Sequence, residues 1–131
     1  MPCVLVHEED AKKLKPSTAT GTVSTMAFAS QAIASPESKN MTAGYIKLNP
    51  GYDNEFVCPV DEIDLFLEGS LTYLCEGKTF TAQKGDIVFI EKGSRVKCST
   101  EGGCFGFFVT YPLFQETLDA LKKQRDEEAQ K

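Results

Sequence analysis

The chain has 131 residues, 41% of them hydrophobic and 25% charged, which fits one ordinary globular domain able to build a core without staples. Its formal net charge is -5, from 14 Lys and Arg against 19 Asp and Glu, and the basic residues are dispersed. A duplex-binding protein would show a basic face, so no nucleic-acid partner is expected. The run from Met1 to Val6 is too short for a secretion signal, and no stretch approaches the ~20 apolar residues of a membrane span. Five cysteines, an odd number with no CxxC pair, read as free thiols in a reducing, cytoplasmic setting.

In chain order, Cys3 to Val6 reads as a short edge strand, and His7 to Lys15 as one or two helical turns ended by Pro16. Residues 16–21 and 35–40 are loops by composition, and Val23 to Ala34 carries a weak β pattern. Tyr45 to Leu48 is a strand stopped by Asn49-Pro50-Gly51, and the stretch from Tyr52 to Pro59 reads as irregular. Glu62 to Leu67 alternates strictly and is ended by Glu68-Gly69. Glu76-Gly77 between Ser70–Cys75 and Lys78–Ala82 is a hairpin signature. Further strands at Ile87–Ile90, Arg95–Ser99 and Cys104–Tyr111 are separated by glycine turns. Short strands at this spacing argue for a sandwich or barrel. Beyond Pro112, Phe114, Leu118 and Leu121 fall on one helical stripe, with acids early and bases late, so a C-terminal helix packed on the outside is expected.

The spacing from Glu62 to Gly69, and from Gly85 through Glu91 to Gly93, resembles the two cupin motifs. Asp61 to Gly69, Lys84 to Ile90 and Tyr111-Pro112 together resemble the EutQ-type ethanolamine-utilisation branch. The resemblance implies an all-β, single-domain cupin over 1–131: a double-stranded β-helix, or jelly-roll barrel, with a C-terminal helix. Residues 1–41 would supply N-terminal strands and loops, 42–111 the barrel motifs, and 112–131 the helix and tail. It also implies a link to ethanolamine breakdown and an acetate kinase activity. The histidines that a metal-binding cupin carries are missing: their positions hold Phe56 and Cys58, or Glu55 and Val57, and then Val96, while the chain's single histidine is His7. A metal-independent protein without cofactor is the expectation.

The residues offer a chemistry of their own. In a strand, Glu62 and Asp64 project from the same face, about 6.6 Å apart along the chain, with Phe66 beside them. Mutual repulsion and partial burial raise carboxyl pKa values, the usual way to make an acid or base for neutral pH. Tyr45 and Lys47 share one strand face, and either is a candidate to orient substrate or pair with the acids. Phe66, Tyr73, Glu55, Phe56 and Cys58 are candidate substrate-binding residues, with Tyr73 a wall residue and Cys58 in an irregular, exposed place. The function expected from these residues is acid–base catalysis of isomerase, lyase or cyclase type on a small, partly apolar molecule. The alternatives are the EutQ-like acetate kinase and a non-catalytic binding or scaffold cupin. The partners expected are that ligand in the barrel and a second copy forming a homodimer, with no membrane partner.

Overall fold

The structure is a computed structural model and describes residues 5, 7–13, 28–32 and 40–112. One short helix, α1 (Glu8–Lys12), precedes eight strands: β1 (Phe28–Ala32), β2 (Thr42–Leu48), β3 (Asp53–Val57), β4 (Asp61–Cys75), β5 (Lys78–Gln83), β6 (Ile87–Ile90), β7 (Arg95–Ser99) and β8 (Cys104–Tyr111). All strand pairs are antiparallel. The all-β class and the turns at Glu76-Gly77, Gly85 and Gly93 are as the sequence predicts. Both hairpin residues, Glu76 (φ 51°) and Gly77 (φ 76°), take the left-handed conformation that a tight two-residue turn requires.

The expected closed jelly-roll barrel is not what forms. The strands make one curled, open sheet in the order β1-β2-β8-β4-β7-β3, with β5 and β6 each added to β4, so the fold is a half-barrel. Glycine-punctuated short strands are common to both arrangements, and only the pairing distinguishes them. The C-terminal helix expected after Pro112 lies outside the described residues, as does the edge strand expected at Cys3–Val6 apart from Leu5, which is in no strand; α1 is the helix among those described.

Two further expectations change. The segment read as irregular contains β3, which pairs with β7 from Asp53↔Ser99 to Val57↔Arg95. Its alternation of exposed Asp53, Glu55 and Val57 with half-buried Asn54 and Phe56 is a half-buried strand pattern, obscured by the turn residues around it. The two strands expected on either side of Glu68-Gly69 are instead one 15-residue strand, β4. Its first half pairs with β6 and β8, and its second half with β5 and β7. The register slips by one residue between Phe66 and Glu68, a bulge that bends the strand. Gly69 (φ 72°) allows the chain to pass through the bend rather than stop.

The inner face of the curl carries the core: Leu48, Tyr52, Cys58, Phe66, Leu71, Tyr73, Ala82, Val88, Ile90, Val96, Cys98 and Cys104. Each large apolar side chain buried there contributes about 1.5–3 kcal/mol. On the outer face, α1 packs beside β1 and β2. Lys12 reaches from it to Glu68 at 2.7 Å and lies over the Phe105 ring. Further along that face Ile63, Ile87 and Phe89 stay exposed.

A Cβ at Gly69 would collide with the Gly103 carbonyl, and the left-handed backbone there adds strain to any side chain. Gly69→Ala is therefore expected to cost about 3 kcal/mol of stability, read as a lower urea midpoint, whereas Gly77→Ala, with open space around it, should cost only the turn strain of about 1 kcal/mol.

Candidate functional site

Strand alternation sets the site. On β4, Glu62, Asp64 and Phe66 point to the inner face, and on β8 the residues directly opposite are Thr110, Phe108 and Gly106. On the other flank Glu62 and Asp64 face Ile90 and Val88 of β6, both buried. The bend of β4 brings its second half over the first. Tyr73, nine residues on, donates its hydroxyl to Asp64 Oδ2 at 2.8 Å. Tyr73 is 1% exposed; its ring meets Phe66 edge-on at 6.2 Å and stacks on Phe80 at 5.2 Å. The phenol is thus a buried support for the acid.

Glu62 and Asp64 are hydrogen-bonded to each other. Both are half-buried. Burial, then repulsion from Asp64, then the hydrogen bond to Asp64 push the Glu62 carboxyl well above the ordinary range. Burial also raises Asp64, but the bonds it accepts from Glu62 and Tyr73 oppose the rise. Both carboxyls are thus pushed up, and the two act as one titrating unit.

The surroundings are neutral as well. Burial pushes the Tyr52 phenol to about 12, the Cys58 thiol to about 11 and the Cys104 thiol to about 12, and it raises Cys98 and Tyr73 further. These thiols are not nucleophiles at neutral pH. Cys58, expected in an exposed place, is 1% exposed and bonded to the Val60 carbonyl at 3.0 Å, because the loop after β3 folds inward. Phe56 lies opposite Val96 and packs on the core.

Three expected members sit elsewhere. Tyr45 and Lys47 pair with Phe107 and Phe105 of β8, the outward residues, so β2 turns them to the far side of the sheet from the acids. Tyr45 stacks on Phe105 at 5.5 Å, and Lys47 Nζ reaches the Lys12 carbonyl at 3.4 Å. The expected ion pair of Lys47 with Glu62 or Asp64 is absent because a one-residue parity decides the face. Glu55 also points outward, 3.5 Å from Arg95. Sequence reasoning missed Tyr52, Cys98 and Thr110. Thr110 is 1% exposed, and its hydroxyl has no hydrogen-bond partner among the described residues. The available signal was parity within Cys104–Tyr111, but it needed the β4–β8 register to become readable.

Among the described residues, no group of three or more His, Cys, Asp or Glu is arranged to hold a metal ion, and no helix is long and apolar enough to cross a membrane.

A curled antiparallel sheet with an acid from the first motif on its inner face is a cupin architecture. The sequence model of the family described as "Ethanolamine utilisation protein EutQ" matches residues 4–116, and this chain belongs to that family. It is similar to "Acetate kinase EutQ" of Escherichia coli K12, 32% identical over 89 residues covering 66% of this chain and 36% of that protein. The chain thus spans about a third of that relative's length. The solved Clostridium difficile EutQ protein superposes with a TM-score of 0.64 at 25% identity, covering 76% of this chain and 81% of that one. A Rhizobium leguminosarum protein solved as of unknown function superposes at 0.66 with 28% identity, covering 86% and 99%.

A raised carboxyl pKa in the fold means that protonation favours the folded state. That contribution is fully present below the ordinary value of 4.5 and is lost as pH rises through the raised value of Glu62. Glu62→Gln keeps a donor toward Asp64 but cannot ionise. Urea unfolding from pH 4 to pH 9 should show the variant gaining stability relative to wild type as pH rises. Tyr73→Phe, by contrast, should lose about 1.5–3 kcal/mol near neutral pH, the worth of a hydrogen bond to a charged group.

Proposed function

We propose that this chain serves ethanolamine utilisation as a small-molecule-binding cupin of the EutQ type, with its binding site at the Glu62–Asp64 pair. The observation that carries the reading is the hydrogen-bonded acid pair, backed by the Tyr73 phenol, on the inner face of a cupin that belongs to this family. The wall around the pair is apolar, from Phe66, Val88, Ile90 and Phe108, with few polar points. That composition suits a small organic ligand held by one or two polar groups.

A second reading is favoured by the name of the E. coli relative, acetate kinase. Phosphoryl transfer needs cationic groups around the phosphates. The inward positions of β2, β3, β4, β6, β7 and β8 hold no lysine or arginine; Lys47, Arg95 and Lys97 all lie on outward positions. Under this reading the acids of the curl would serve the acetate side and the nucleotide would be held elsewhere. Acid–base chemistry of isomerase, lyase or cyclase type is a further use of the same pair, since a proton shared beside a buried phenol is what such chemistry draws on.

Carboxyl-carbon NMR of the purified chain, titrated with small amines, alcohols and carboxylic acids, tests the first reading. One class should shift the Glu62 and Asp64 resonances, and Asp64→Asn should weaken that binding at least about tenfold, the order of one charge-assisted hydrogen bond. Shifts confined to outer-face residues would sink it. Incubation with acetate and magnesium-ATP tests the second: acetyl phosphate and ADP should accumulate in equal amounts and fall on Glu62→Gln.

A further inference from the structure

Among the described residues, the acid pair of the inner face has no positive partner. Glu62 and Asp64 face Val88 and Ile90 on one flank and Phe108 and Thr110 on the other. The titratable groups around them are Tyr52, Tyr73, Cys58, Cys98 and Cys104, none of them cationic. A carboxyl pair that shares one proton keeps one negative charge, and in a low-dielectric surround an uncompensated charge is costly. The lysines and arginines of the neighbouring strands are spent on the outer face, on Lys12, Glu55 and solvent.

A second observation is independent of the acids. Thr110 stands directly across from Glu62 on β8, facing inward, and its Oγ1 is a buried hydroxyl with no partner among the described residues. Such groups are rare and destabilising, and valine would fill the same volume without a polar atom to satisfy. The hydroxyl takes no part in the Glu62–Asp64 bond. On β8 it is the side-chain hydroxyl in register with Glu62.

We propose that the pair is a subsite for a small primary ammonium ion, with Thr110 the donor that receives Glu62 when the cation enters. This deepens the small-molecule reading above and rests on it. The ammonium group seats between the two carboxyls and takes the place of the Glu62 proton, which leaves to solvent. Glu62, now ionised and separated from Asp64, accepts from the Thr110 hydroxyl. Asp64 keeps its bond from Tyr73 and does not move. An ammonium carries three donors, which match two carboxylates better than an alcohol or a carboxylate ligand does. Thr110 is a positioning residue, since it acts through Glu62.

Three probes of similar size separate the outcomes: ethylammonium, ethanol and acetate. Calorimetry and carboxyl-carbon NMR at pH 8 should show ethylammonium binding at least tenfold tighter than ethanol, with acetate weaker still. Its binding heat should vary with the ionisation enthalpy of the buffer, which reports a released proton. Affinity should fall at least tenfold between pH 8 and pH 5, because release of the Glu62 proton becomes less favourable as pH drops, and Glu62→Gln should abolish both the buffer effect and the pH dependence. Thr110→Val should raise the thermal midpoint and yet weaken ethylammonium binding severalfold. A purely structural threonine would give the first effect without the second, and that result would remove Thr110 from the proposal. Equal binding of ethylammonium and ethanol, or tighter binding of acetate, overturns the ammonium subsite while leaving the small-molecule reading intact. Silence of Glu62 and Asp64 toward all three probes sinks both.

Discussion

Phe66 is gripped on both sides of its own peptide. Its N–H donates to the Asp86 carbonyl at 3.0 Å, and its carbonyl accepts from Gly85 N–H at 2.8 Å. The Asp86 carboxylate in turn ties the turn shut, accepting from Gln83 N–H at 2.9 Å. This clamp holds β4 where its register slips, and Gly69, pressed against Gly103 and Cys104, lets the strand bend there without a side chain in the way. Nearly every inner-face relation depends on that bend. A straight β4 would carry Tyr73 some nine residues away from Asp64, about 30 Å along an extended strand, instead of within a hydrogen bond of it.

The same bend explains the site's electrostatics. Asp64 and Tyr73 belong to one strand but to different halves of the curl, so the phenol reaches the acid from the other half. Desolvation then does the larger share of the work on Glu62, with repulsion from its neighbour second. The outcome is a pair of carboxyls both pushed above the ordinary range, with Asp64 also accepting the Tyr73 hydroxyl. Such a pair is stable only while its members remain bonded, which makes it responsive to any group able to replace the proton.

The outer face has a different character. Lys12 joins Glu68 at the bulge and Glu8 within α1, and the bond to Glu68 is the chief reason its pKa is raised. These contacts are largely exposed and weigh little in stability. Their effect is to lay α1 beside Tyr45 and Phe105, so that Phe105 is buried although it points away from the core. The positive charges gathered there are the ones the inner face lacks.

How much of this was legible beforehand divides along the range of the interactions. Local chemistry was readable: the Glu76-Gly77 hairpin, the Gly85 and Gly93 turns, and the common face of Glu62 and Asp64 follow from backbone preferences and the two-residue period of a strand. The family motifs were readable too, as spaced glycines and an acid. Three things were not. Whether Glu68-Gly69 ends a strand or bends one depends on Gly103 and Asp86, far away in the chain. Which face of β2 turns inward depends on its register with β8, and one residue of parity sends Tyr45 and Lys47 to the opposite side from the acids. Whether the sheet closes depends on edges meeting in space. Sequence alone thus determined the strands' periodicity and the acids' shared direction, because those are short-range and covalent in origin. The tertiary structure alone decided what stands across from them, Tyr73 and Thr110, because that is a matter of register between segments that meet only after folding.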